Sequence, residues 1–140
     1  MLGSGAMTNS IEDVTRKAEV IMLVGSNPEE AHPVIGMQIR AAVERGRRLL
    51  VGDPAPYRLG APRDIGLAAH ADIHLKLRPG TNVAFANGIV NYLIQHELYD
   101  EDFVRERTEG FEILAATVRD YTPELVEDIC GIDRRDLVAA

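Results

Sequence analysis

From Glu19 to Val24 the chain reads Glu-Val-Ile-Met-Leu-Val, a run without a helical polar face. Such a run suits a strand buried on both sides of a parallel sheet. Gly25-Ser26-Asn27-Pro28 then breaks it with four turn-forming residues. A helix is predicted from about Pro33 to Arg47, because proline is tolerated at a first helical position. Its apolar face would carry Ile35, Ile39, Ala42 and Val43, and Gly46 with Arg47-Arg48 would end it. Leu49-Leu50-Val51 reads as a second buried strand ending in Gly52-Asp53-Pro54. Residues 55–62 follow as a loop with two prolines and a glycine, and Asp72–Leu77 alternates as a half-buried strand does.

Helical signals fill the remainder. Asn9 is placed to cap a first short helix, with Glu12 reaching back in a capping-box arrangement. Arg78-Pro79-Gly80-Thr81-Asn82 reads as a turn with Asn82 as N-cap, opening a helix striped by Ala86, Ile89, Val90, Leu93 and Ile94. Asp100 caps Glu101–Arg107, and Gly110 breaks that pattern. Thr122-Pro123 starts a helix to about Cys130, Gly131 stops it, and Asp133 starts the last. No internal repeat or low-complexity tract is present. The order β-α-β-loop-β-α predicts an α/β fold, a partial doubly wound (Rossmann-like) parallel sheet with a helical C-terminal portion.

Composition narrows the class. A length of 140 residues suits one modest core, and an apolar fraction of 46% is ordinary for a globular protein. No apolar run approaches a membrane span, and residues 1–10 lack a basic and apolar leader, so a cytoplasmic location is expected. A net charge of −7 argues against nucleic acid as a general partner. The single cysteine, Cys130, excludes an internal disulfide and any cluster held by several of these cysteines.

Three loops fall at carboxyl ends of predicted strands: Gly25–Ala31, Gly52–Pro54 and Arg78–Asn82. In an open parallel sheet those ends share one edge, where ligands bind. The chemistry on offer is recognition. Gly25 and Gly80 permit close backbone approach, and Ser26, Asn27, Thr81 and Asn82 supply hydroxyls and amides. Asp53 is suited to accept from a ribose diol or from a guanine N1–H and amino group, and helix starts at Pro33 and Asn82 favour phosphate. The same residues are also good turn and cap formers, so the ligand stays unnamed at this level. His70 and His74 have HxxxH spacing, but a strand spreads such a pair over roughly 13 Å, against zinc binding. His32 suits either a phosphate contact or a turn role; Cys130 reads as core, and the charges of 100–109 as a solvated helix face. Glu29-Glu30 suits the positive end of a helix.

The segments GSGAMTNSIEDV, EVIMLVGSNPEEAHPV, ADIHLKLRPGTNVAFANG, LYDEDFVRERTEGFE and YTPELVEDICGI together resemble the catalytic (alpha) subunit of molybdenum formate dehydrogenases, within the molybdopterin oxidoreductase superfamily. The similarity runs from about Gly3 to Ala140. It implies a Rossmann-like domain holding the guanosine end of a molybdopterin guanine dinucleotide. By position, Gly25, Ser26, Asn27, Pro28, Glu29, Glu30 and Ala31 correspond to the first contact loop. Asp53 corresponds to the acidic residue at the guanosine, and Gly80, Thr81 and Asn82 to the third contact.

Two departures qualify the resemblance. The family has Asp-Pro-Arg after the second strand, whereas Asp53-Pro54 is followed here by residues 55–62, read as a loop insertion. Arg63, or alternatively Arg58, would then be the arginine's counterpart. Family members are also far longer, so the domain is expected to be truncated at both ends. The implied iron–sulfur module, the selenocysteine or cysteine ligand of molybdenum (or tungsten) and an active-site arginine lie outside this sequence. The expected partners are the cofactor, the rest of the catalytic subunit and electron-transfer subunits, and the chain alone is expected to turn over no formate. A non-catalytic binding or assembly module, or the same domain of a nitrate reductase, are the competing readings.

Overall fold

Val20–Val24 (β1) and Arg48–Gly52 (β2) pair in parallel, with Val20 opposite Arg48 and Val24 opposite Gly52. Pro33–Glu44 (α2) connects them after a single helical turn, Pro28–Ala31 (α1). Ile73–Leu75 (β3) adds to the other side of β2, giving the order β1-β2-β3 and an α/β fold with a small parallel sheet. The structure is a computed structural model that describes residues 9–54 and 66–140. The expected insertion at 55–62, with Arg58 and Arg63, lies outside the described residues, as do residues 1–8. Two compact units are present, Met1–His74 and Leu75–Ala140.

The first unit is organised around Ile21, Ile39, Ala42, Leu49, Val51, Leu67 and Ala68. Each fully buried Leu, Ile or Val there contributes roughly 1.5–3 kcal/mol of transfer free energy. The predicted helical face of α2 holds: Ile39 and Ala42 are buried, and Ile35 and Val43 pack against the cluster. The two-sided burial expected of β1 does not hold. Ile21 is buried, but Val20, Met22 and Val24 are 51, 41 and 38% exposed, because β1 is the outer strand and one face alone meets α2. Two-sided burial belongs to β2, whose Leu49, Leu50 and Val51 are all buried between neighbours.

The first capping box sits one residue later than predicted. Ser10 Oγ accepts from the Asp13 amide at 3.1 Å, and Asp13 Oδ2 accepts from the Ser10 amide at 3.1 Å. The turn that follows, Asp13–Lys17, is π-helical, closed by the Ala18 amide on the Asp13 carbonyl at 3.0 Å. A 3₁₀ turn, Gly66–His70, leads to β3. There Asp72 is fixed twice to Leu49: its amide donates to the Leu49 carbonyl, and its Oδ2 accepts from the Leu49 amide, both at 2.8 Å.

The second unit is helical: Asn82–Gln95 (α3), Glu101–Arg107 (α4), Phe111–Val118 (α5), Pro123–Cys130 (α6) and Arg134–Ala139 (α7). The starts of α4, α6 and α7 are where the sequence puts them, whereas α5 follows Gly110, which the sequence marked only as a break. Asp100, Thr122 and Asp133 cap α4, α6 and α7 by accepting from the amides of Phe103, Leu125 and Arg135. The predicted stripe of α3 is corrected. Phe85, Gly88 and Asn91 are the fully buried positions; of the predicted stripe Ile89, Val90 and Ile94 are half-buried, while Ala86 and Leu93 are exposed. Gly88 lies so close to Val126 that a Cβ would collide with Val126 Cγ2, and Asn91 Nδ2 donates to the Tyr121 carbonyl at 3.0 Å. An apolar count overlooks both, because one has no side chain and the other is polar. The N-cap of α3 is Thr81 rather than Asn82, which is the first helical residue. Among the described residues, no helix is long and apolar enough to cross a membrane.

Candidate functional site

The first predicted loop begins where β1 ends. Gly25 takes φ 59°, a left-handed conformation that glycine adopts without penalty, and its amide donates to the Gly52 carbonyl at 3.0 Å. That bond joins the ends of β1 and β2, so Gly25 and Asp53 emerge beside each other within the first unit. Ser26 and Asn27 are half-buried, and Pro28 is buried at the start of α1. The loop is thus shorter than predicted, since Pro28–Ala31 is already helical. The Asn27 carbonyl accepts from the amides of Glu30 and Ala31 at 3.2 and 3.0 Å.

Two glycines outside the loop fix its shape. A Cβ on Gly36 would lie 2.9 Å from Glu29 Cα, Glu29 N and the Pro28 carbonyl oxygen, so α1 rests directly on α2. Gly66, at φ 62°, leaves the space taken by Glu29 Oε2. The other carboxylate oxygen of Glu29 pairs with Arg40 at 3.6 Å. Glu29 is therefore engaged with the body of the unit, and Glu30 is exposed at the first turn. His32 joins α1 to α2: its amide donates to Pro28 and its carbonyl accepts from Gly36. It borders an open apolar hollow of about 450 Å³ with Ile11, Ala31, Pro33, Val34 and Ile35.

At the second position, Asp53 is half-buried, and its carbonyl lies 3.3 Å from His74 Nε2. That contact gives His74 a role in holding the strand end. Among the described residues, no group of three metal-ligating side chains is found.

The third predicted loop belongs to the second unit. Gly80 takes φ 84° with nothing within 4 Å of where a Cβ would stand, so its backbone is open to close approach. Thr81 Oγ1 donates to the Arg78 carbonyl at 2.7 Å instead of capping α3. Asn82 is exposed, and no acidic residue lies in the first turn of α3.

Residues 2–127 match the molybdopterin oxidoreductase family. The chain belongs to that family. The alpha subunit of the F420-dependent formate dehydrogenase of Methanocaldococcus jannaschii is 43% identical over 136 residues, covering 97% of this chain and 19% of that protein. Formate dehydrogenase H of Escherichia coli is 36% identical over 136 residues, covering 97% of this chain and 18% of that enzyme. The assimilatory nitrate reductase catalytic subunit of Bacillus subtilis is 38% identical over 108 residues, 77% of this chain and 14% of its own length. Among solved structures, acetylene hydratase from Pelobacter acetylenicus superposes with a TM-score of 0.69 at 29% identity, over 91% of this chain and 18% of that one. The chain thus spans about a fifth of the length of the formate dehydrogenase subunits that it resembles.

The polar groups at the loops of the two units differ in kind. In the first unit the polar set is a hydroxyl, a carboxamide and the Asp53 carboxylate, with the exposed Glu30 carboxylate at the first turn of α1. Carboxylates repel phosphate and accept from base or sugar N–H and O–H groups, so this set suits a nucleoside. In the second unit, open Gly80 and an acid-free helix start suit an anionic oxygen. Gly36 and Gly66 are supporting residues that the sequence leaves unmarked, and it marks Arg78 only as part of the third loop. A glycine inside the apolar face of a helix was the one available signal, since it costs about 1 kcal/mol against alanine unless a close approach needs it.

Proposed function

We propose that this chain binds the guanosine end of a molybdopterin guanine dinucleotide, as part of a formate dehydrogenase-like catalytic subunit. The metal carried by such a cofactor supplies the redox chemistry; these residues bind and orient. In this reading Asp53 accepts from the guanosine, Ser26 and Asn27 offer side-chain hydrogen bonds, and the backbone of Gly25 allows close approach. Pro28 to Ala31 shape the loop, with Glu29 serving through its backbone, and Gly80, Thr81 and Asn82 meet a phosphate oxygen. The observation that carries the reading is the hydrogen bond from the Gly25 amide to the Gly52 carbonyl, which sets the first loop beside Asp53. The formate branch rests on the two formate dehydrogenase relatives, at 43 and 36% identity over nearly the whole chain.

A titration of the isotope-labelled chain with guanosine diphosphate tests this. Shifts are expected at Gly25–Glu30, Asp53 and Gly80–Asn82, and shifts confined to α4–α7 would sink it. Asp53→Asn should weaken guanosine diphosphate by roughly tenfold, the loss of a hydrogen bond to a charged acceptor, while leaving adenosine diphosphate unaffected. Formate-dependent dye reduction is expected to be absent from the purified chain. The nitrate reductase relative supports a second reading, the same nucleotide role in an enzyme acting on nitrate. Formate or nitrate turnover by an assembled full-length enzyme containing this segment separates the two.

A further inference from the structure

The C-terminal turn of α6 holds the residues around Gly80 through an unusual number of contacts. The Arg78 amide donates to the Cys130 carbonyl at 2.8 Å, and Arg78 Nη1 donates to the Asp128 carbonyl at 2.6 Å. Cys130 Sγ lies 3.6 Å from the Thr81 carbonyl as a weak donor, with the thiol fully buried. Thr81 closes the turn on the Arg78 carbonyl through both its amide, at 3.3 Å, and its hydroxyl, at 2.7 Å. Gly131 leaves room for the guanidinium: it takes φ 73°, and a Cβ there would stand 2.7 Å from Arg78 Nε. A cation on the last carbonyls of a helix also meets the negative end of its dipole. The guanidinium is thereby anchored to the end of α6.

We propose that Arg78 is a positioning residue, locking the Gly80–Asn82 loop onto the C-terminal turn of α6 so that loop and helix end move as one body. The proposal deepens the nucleotide reading and rests on it for its consequence in binding. A direct phosphate contact by Arg78 is the rival, and it is separable because the atoms nearest a Cβ on Gly131 all belong to Arg78.

The test uses the full 140-residue chain and three variants: Arg78→Ala, Gly131→Ala and Gly110→Ala. Gly110 is the control, with φ 75° and nothing within 4 Å of a Cβ, so its replacement adds the same backbone strain without touching Arg78. Hydrogen exchange at the Thr81 amide, measured against the interior of α3, should quicken roughly tenfold in the first two variants, as expected for a lost hydrogen bond. It should stay unchanged relative to α3 in Gly110→Ala. Guanosine diphosphate should bind more weakly to the first two and equally to the third. Equal exchange in all three variants overturns the lock. Faster exchange only in Arg78→Ala, with Gly131→Ala like the control, also overturns it and leaves a direct role for the guanidinium. If the unmodified chain binds no guanosine diphosphate, the nucleotide reading fails, and the exchange comparison still decides whether Arg78 locks the loop.

Discussion

Gly36 lies against the backbone of Glu29, with no room for a methyl group between them: a Cβ would meet Glu29 Cα and N at 2.9 Å. Alanine at this helical position would gain about 1 kcal/mol of helix propensity elsewhere. Here the obstacle is backbone, which cannot rotate aside, so overpacking at about 1–3 kcal/mol outweighs that gain. Gly36→Ala is therefore expected to destabilise the chain in urea unfolding and to shift the Gly25–Ala31 resonances. Unchanged stability, with the loop signals in place, would mean that α1 does not rest on α2.

The contact of Gly88 with Val126 gives a second, paired prediction. Gly88→Ala forces a methyl group into Val126 Cγ2, and Val126→Ala alone empties space around a fully buried side chain. Each single change should destabilise, the first by about 1–3 kcal/mol through overpacking and the second by roughly 1–3 kcal/mol through the lost methyls. The double variant should recover part of the loss, because the new methyl fills the vacated volume. A double-mutant cycle by chemical denaturation measures the coupling, and strict additivity would contradict the packing described.

These two glycines also mark where sequence reading ran out. The strands, the helices α2, α3, α4, α6 and α7, the caps at Asp100, Thr122 and Asp133, and the glycine stop at 131 were legible because local chemistry decides them, whereas α1 and α5 were not. The buried faces of β1 and α3 were not. Periodicity cannot tell which strand is central, so β1 was assigned the two-sided burial that β2 has. Nor does it count a glycine or an asparagine as core, which is why the expected stripe of α3 left out the buried Gly88 and Asn91. The loops at Gly25, Asp53 and Gly80 were located from turn residues alone. Their supports were hidden because Glu29 to Gly66 and Arg78 to Cys130 are contacts between residues far apart in sequence.

Cys130 offers a test of the second unit's closure. Its thiol is fully buried under the Thr81 carbonyl, so a solvent thiol reagent must wait for an opening. Labelling of the native chain is expected to be slower than in urea by several orders of magnitude, on the scale of the unfolding equilibrium. Arg78→Ala should quicken native labelling, since the same turn carries both contacts. Immediate labelling of the unmodified native chain would refute the packing of this turn.

Asp133 ties the start of α7 to pH. Its carboxylate accepts from the Arg135 guanidinium at 2.7 Å and from the Arg135 amide at 2.8 Å, and these bonds lower its pKa from 3.8 to about 2. A depressed carboxylate pKa stabilises the fold above the unfolded value, and the contribution disappears as pH falls through the folded one. The window is therefore from about 3.8 down to about 2, with no effect near neutrality. Asp13 also falls to about 2, through its bonds to Lys17 and Ser10, so global unfolding would mix the two sites. A local reporter separates them: the Arg135 amide proton should titrate with a midpoint near 2, following the Asp133 carboxyl carbon. Asp133→Asn keeps a capping oxygen but has no proton to gain, so its Arg135 amide should be flat across the same window. A wild-type midpoint at 3.8 would mean that the Arg135 contacts do not hold the carboxylate in solution.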